Sequence, residues 1–186
     1  IVSGAVVGRM QFRSYVYYSL FITAIVYPVS GFWKWGGGWL DQLGFYDFAG
    51  SIVVHAVGGF AALAAAIVLG PRIGRFNNDP DSPHLNGHSL ATASMGVFIL
   101  WVGWFGVNAG GGLAADGTAG LAFLTTQTAA ASATLFWVLI EWIHNGKPTV
   151  LGAATGAVAG LVAVTPACAF IGPGGAIAIG FGAAVI

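Results

Sequence analysis

Charge is scarce in this sequence. Six basic and six acidic side chains make up 6% of 186 residues, where an ordinary soluble domain carries about 25%. So few solubilising groups cannot screen a chain that is 57% apolar with a mean hydropathy of +0.84. That balance argues against a soluble enzyme, a disordered chain and a nucleic-acid binder. The signs cancel as well, so the total predicts no polybasic surface for DNA, RNA or anionic lipid. Cysteine is nearly absent. Cys168 stands alone, and one thiol allows neither an internal disulfide framework nor a multi-cysteine metal site. Also missing are an initiator Met and a charged leader. The chain opens inside an apolar run, Ile1 to Val7, and closes inside another, Ala176 to Ile186. The expectation is an internal piece of a longer protein, cut within a membrane span at both ends.

Apolar length is what the sequence has. A bilayer requires about 20 apolar residues per helix. Between polar breaks the sequence predicts the tail of one span at 1–8 and full spans near 14–32, 49–70, 89–109, 119–143 and 149–170, with a further span starting near 174. The fold class is therefore an all-α polytopic membrane protein. Among the breaks, only Pro71–His88, with its Asn77-Asn78-Asp79-Pro80-Asp81 cluster, has the composition of an aqueous loop. Arg9, Arg13, Arg72, Arg75 and Lys147 fall in alternate breaks, and Lys34 alone falls in the other set. The positive-inside rule puts the first set in the cytoplasm. The breaks at Phe32–Phe48, Ala109–Thr118 and Ile171–Gly174 then face outward. Glycines recur at i+4 in Gly152, Gly156 and Gly160, and in Gly4 and Gly8. In lipid such small-residue stripes let helix backbones approach.

His55 stands out among the polar residues. It lies six residues into the span starting at Ala49, between Val54 and Ala56, and an ionisable group at membrane depth marks a pathway or a site by default. The plainer alternative is a neutral imidazole bonded to a neighbouring helix, which its near-neutral reference pKa allows. Asp47 reads first as an N-cap of the same span. At regular helical spacing it would sit about 12 Å and some 80° from His55, too far for an acid–base dyad. Trp33, Trp35 and Trp39 cluster with Gly36–Gly38 at an outward break. They form either an interfacial aromatic belt or a cation–π platform at a mouth. Trp101 and Trp104 lie in the outer half of their span and also suit the belt. Glu141 and His144 have di-metal bundle spacing, but the motif occurs once, at a helix end, so capping and interfacial solvation explain it better. His84 and His88 sit in the aqueous loop.

Several blocks together resemble the ammonium transporter family (the Amt/Mep/Rhesus superfamily), in its Amt branch. They are Trp35-Gly36-Gly37-Gly38, Asp47-Phe48-Ala49-Gly50-Ser51-Ile52-Val53-Val54-His55, and Gly103-Trp104-Phe105-Gly106 with Asn108-Ala109-Gly110. Glu141-Trp142 with Gly146-Lys147-Pro148 and the run Gly160 to Cys168 complete the set. They occur in the family's order across nearly the whole chain. The resemblance implies a fragment of an eleven-span fold with inverted five-helix repeats. Residues 1–186 would form one partial transmembrane domain, from the end of span three to the start of span nine. It implies a multi-pass protein of the plasma membrane that transports ammonium or ammonia and assembles as a homotrimer. A cytoplasmic PII-type regulatory protein is an implied partner. No enzyme activity, cofactor or metal is expected.

By the same resemblance Trp35 recruits ammonium, with Asp47 buried in support. His55 is one of a pore His pair, and Thr165 lies near the inner pore. Val107 and Trp104 are the candidate gate. Val107 stands where most members have a gating Phe, and Gly111 where many have a Ser that contacts the cation. Phe105 cannot supply that ring, since two positions is about 200° around a helix. The second pore His belongs to span ten, which this sequence does not reach. An ammonium sensor on the same fold is the alternative function. A membrane metalloenzyme built on His55 would require further intramembrane ligands that these spans lack.

Overall fold

The structure, a computed structural model, describes residues 1–76 and 87–186. The Asn77–Asp81 cluster and His84 lie outside the described residues. Helices α1 (Ser3–Val6), α2 (Phe12–Phe21), α3 (Tyr27–Trp35) and α4 (Trp39–Gln42) come first. They are followed by α5 (Val57–Leu69), α6 (Leu90–Asn108), α7 (Gly117–Asn145), α8 (Val150–Val164) and α9 (Pro173–Val185). No strand occurs among the described residues. Among the described residues four apolar stretches are long enough to cross a membrane: Phe12–Gln42, Ser51–Leu69, Leu90–Gly112 and Gly117–Asn145. Most of their surface is bare of protein, as expected of side chains that face lipid.

The helix ends follow from local chemistry. Ser89, Asp116 and Thr149 each accept a backbone N–H three residues on, from Thr92, Ala119 and Gly152, satisfying donors that a helix start leaves free. Gly146 closes α7 at φ +74°, a left-handed position that favours glycine. Glu141 has a structural task. Its carboxylate accepts from Thr149 N at 2.9 Å and Thr149 Oγ1 at 2.8 Å, so the end of α7 fastens the start of α8.

Three sequence expectations change. The predicted span 149–170 is helical only to Val164, and residues 165–170 form turns. Pro166 gives the reason, because a helix rarely runs past the residue before a proline. The predicted span 14–32 instead runs on through Trp35, with a π-helical segment at Ile22–Val26. Pro28 lacks an N–H and its ring crowds the carbonyl of Ala24, and the widened turn before it absorbs both. Gly4 is no packing position, since a Cβ there would meet nothing within 4 Å.

The chain divides into two compact units. The first comprises Ile1–Phe45 and Ile52–Gly87, the second Tyr46–Ser51 and His88–Ile186. In the first, α1 packs on α5, with Ile1 against Gly58. Arg9 Nη1 donates to Gly70 O at 2.6 Å and Arg9 Nη2 to Ala5 O. Arg72 donates to Val7 O from Nε and Nη2, both at 3.2 Å. Two breaks far apart in sequence are thus clasped together, and the balanced total charge conceals a local basic end.

In the second unit α7 is sandwiched between α8 and α9. Cβ atoms at Gly160 and Gly180 would lie 2.5 and 2.6 Å from the same oxygen, that of Ala129. Gly156 is equally tight, 2.7 Å from Trp137 Cβ. The Gly152/Gly156/Gly160 stripe is therefore a packing surface, with Ala122, Ala129, Val164, Cys168 and Ala176 fully buried around it. Gly160→Val should lower stability by about 1–3 kcal/mol through overpacking, read as a lower thermal midpoint in detergent. Gly4→Val should leave that midpoint unchanged; equal losses from both would contradict the packing assignment.

Candidate functional site

The start of the His55 span is built around Asp47. Only 3% of this residue is exposed, and its Oδ1 accepts from Gly50 N and Ser51 N, both at 2.8 Å. Gly50 adopts φ +106°, a conformation glycine permits. Phe48 N donates to Pro166 O at 3.4 Å and Ser51 Oγ to Val162 O at 3.3 Å. The helix start is therefore held to the end of α8 within the second unit.

The first turns below this start are π-helical, over Ser51–Ala56. His55 lies in them, half-buried, with Nε2 shielded from solvent. Helical counting from Asp47 fails here, because the helix begins only at Ser51 and opens with the wider turn. Single π turns recur at functional sites, and nothing in the sequence announced this one.

The tryptophans fall in the first unit. Trp33 and Trp35 end α3 and Trp39 begins α4, so the predicted break is largely helical at its start. Trp33 and Trp39 are a tilted pair with centroids 5.7 Å apart. Trp35, about 200° round the helix from Trp33, is 46% exposed. Gly38 permits the reversal between the helices, since a Cβ there would lie 2.7 Å from Phe32 O and Trp33 Cα. Lys34 forms an ion pair with Asp41.

In the second unit Trp104 and Thr165 meet. Trp104 Nε1 donates to Thr165 Oγ1 at 2.9 Å, and that hydroxyl donates onward to Leu161 O at 2.7 Å. Thr165 is fully buried and its one proton is committed. It caps the C-terminal end of α8. Val107, one turn on from Trp104, is 45% exposed. Phe105 stacks on Phe123 with centroids 3.9 Å apart, so it joins α6 to α7. At Gly111 a Cβ would meet the Phe48 ring at 3.4 Å.

Sequence reading passed over one polar lock. Asn108 is fully buried and its Nδ2 donates to Thr126 Oγ1 at 2.9 Å. The available signal was an amide at the end of an apolar span, where such a group requires a partner. Among the described residues no three His, Cys, Asp or Glu side chains gather to hold a metal ion.

The signature of the Ammonium Transporter Family matches residues 1–186. The chain belongs to the ammonium transporter family. It is 47% identical to the ammonium transporter of Bacillus subtilis and 45% identical to ammonium transporter Amt2 of Archaeoglobus fulgidus, over 97% of this chain and 43% and 41% of theirs. The solved structure of a sensor Amt protein superimposes with a TM-score of 0.93 at 39% identity, covering 99% of this chain and 47% of that one. Candida albicans Mep2 does so at 0.89 and 35%, covering 100% and 41%. The chain thus carries part of the Amt/Mep fold as a multi-pass membrane protein and spans about two-fifths of the length of these curated relatives.

The Trp104–Thr165 bond gives a direct check. In a double-mutant cycle with Trp104→Phe and Thr165→Val, the coupling measured from stability in detergent should be about 0.5–1.5 kcal/mol. Losses that simply add would contradict the bond.

Proposed function

We propose that the protein transports ammonium across the plasma membrane, with recruitment at Trp35 and conduction past His55. What carries the reading is the family match over the whole chain together with His55 inside an apolar stretch long enough to cross a membrane. An ion entering such a stretch faces a desolvation cost of several kcal/mol even after relaxation. Loss of the proton removes most of that cost. Ammonia then crosses the apolar path and the proton crosses separately, giving net transport of ammonium.

The half-exposed indole of Trp35 suits a cation–π contact outside. The Asp47 cap holds the start of the His55 helix, so Asp47 supports recruitment through backbone placement. By the family resemblance Thr165 lies near the inner pore and Trp104 and Val107 form the gate, where Val107, smaller than a Phe and without a ring, obstructs less. A homotrimer with a cytoplasmic PII-type partner completes the proposal, and residues 1–186 correspond to the end of span three through the start of span nine.

A second reading is an ammonium sensor on this fold. Its support is the 39% identity to the solved sensor Amt protein.

In the full-length protein, His55→Ala should reduce ammonium current in reconstituted membranes to background. His55→Asp should weaken discrimination against potassium, because a fixed anion favours an intact cation. Trp35→Ala should weaken uptake at low ammonium by the equivalent of about 0.5–2 kcal/mol. Wild-type current and selectivity in His55→Ala would leave His55 a packing residue.

A further inference from the structure

Lys34 is out of place by charge. Of the six basic residues it alone falls in an outward break, next in sequence to Trp35, where a cation would be recruited. Neighbouring Cα atoms are about 3.8 Å apart, so a bare ammonium group at Lys34 would repel the ion that the indole attracts.

That charge has a partner. Lys34 Nζ pairs with Asp41 Oδ1 across the Gly36–Gly38 reversal that joins α3 to α4. The reversal has other supports. Gly38 N donates to Phe32 O at 3.0 Å and Gln42 Nε2 to Gly37 O at 3.2 Å, and the Trp33 and Trp39 rings pack together. The two ends of the pair are unequally covered. Only 16% of the Lys34 side chain is exposed, against 45% of that of Asp41. A solute arriving from water therefore meets the carboxylate, while the shielded ammonium is weakly screened by salt. Trp35 lies about 100° round the helix from Lys34 and keeps its ring half-exposed.

We propose that the Lys34–Asp41 pair sets the charge of the outer mouth. Asp41 is a positioning residue that cancels Lys34 beside Trp35 and turns an anionic end outward, so the mouth favours a small cation. The proposal rests on the reading that Trp35 recruits ammonium. The competing account is a mechanical clamp, in which loss of either partner has the same effect. The electrostatic account gives opposite signs, since Asp41→Asn uncovers a positive charge and Lys34→Gln a negative one. A unit charge roughly 10 Å from the bound cation changes its occupancy about twofold in water, and more where water is excluded.

The test uses the full-length protein in reconstituted membranes. Ammonium binding is read from tryptophan emission and limiting current is measured in parallel, so binding decides the matter even in a protein that senses without transporting. At low ionic strength Asp41→Asn should raise the apparent dissociation constant about two- to fivefold with limiting current unchanged. Lys34→Gln should lower that constant by about twofold, and Lys34→Gln/Asp41→Asn should return it to the unaltered value. Both single shifts should shrink in about 1 M sodium chloride, where the Debye length is about 3 Å. Lys34→Gln strands no covered charge, so the sign can be read even where Asp41→Asn fails to fold. Shifts of the same sign, an effect confined to limiting current, or a double variant no better than Asp41→Asn would each overturn the proposal. Unshifted Asp41 and Lys34 variants beside a weakened Trp35→Ala would overturn it alone, whereas unchanged binding in Trp35→Ala would remove the recruitment reading with it.

Discussion

A helix that starts at the edge of a membrane leaves several backbone N–H groups without intrahelical partners, and burial makes each of them costly. At the start of the His55 span the Asp47 carboxylate takes two such groups, from Gly50 and Ser51. The arrangement depends on residue types at fixed places. Gly50 must reach a positive φ, and Ser51 must offer a hydroxyl to Val162 O. Asp47 therefore caps the start of the span that carries His55.

The rest of the second unit answers a different constraint. Helices in lipid gain little from hiding apolar surface, so their association rests on close packing and polar locks. Gly160 and Gly180 both bring their backbones against Ala129, which leaves room for nothing larger at either position. The Glu141–Thr149, Trp104–Thr165 and Asn108–Thr126 contacts then fix rotation about those close approaches. Small residues set the distance between helices, and polar pairs set the register.

Much of this was legible in the sequence, because its signals were compositional. The apolar runs gave α6 and α7 within two residues, and the glycine stripe of α8 named its own packing face. What escaped was local and geometric. The π turns at Ile22–Val26 and Ser51–Ala56 have no composition of their own, although Pro28 marks a helix that cannot continue regularly past it. Pro166 is the equivalent signal for the early end of α8, and the predicted span 149–170 ran past it. Trp33 and Trp35 were placed in the break after the span ending near residue 32, yet the helix carries them to its last turn. The alternation of basic residues grouped the arginines on one side, but it says nothing about which breaks meet in space. The roles of Trp35, His55, Val107 and Trp104 come from the family resemblance, as no spacing rule specifies them.

The proposed function is transport of one small cation, with sensing on the same fold as the second reading. The account rests on transport, with the cation losing its proton before an apolar stretch that His55 interrupts. The most direct measurement is the current evoked in proteoliposomes by a rapid ammonium step on the full-length wild-type protein, with potassium as the control ion. A saturable inward current for ammonium and none for potassium is the predicted result. No current above empty liposomes, in protein that still binds ammonium, would contradict transport and leave a sensor.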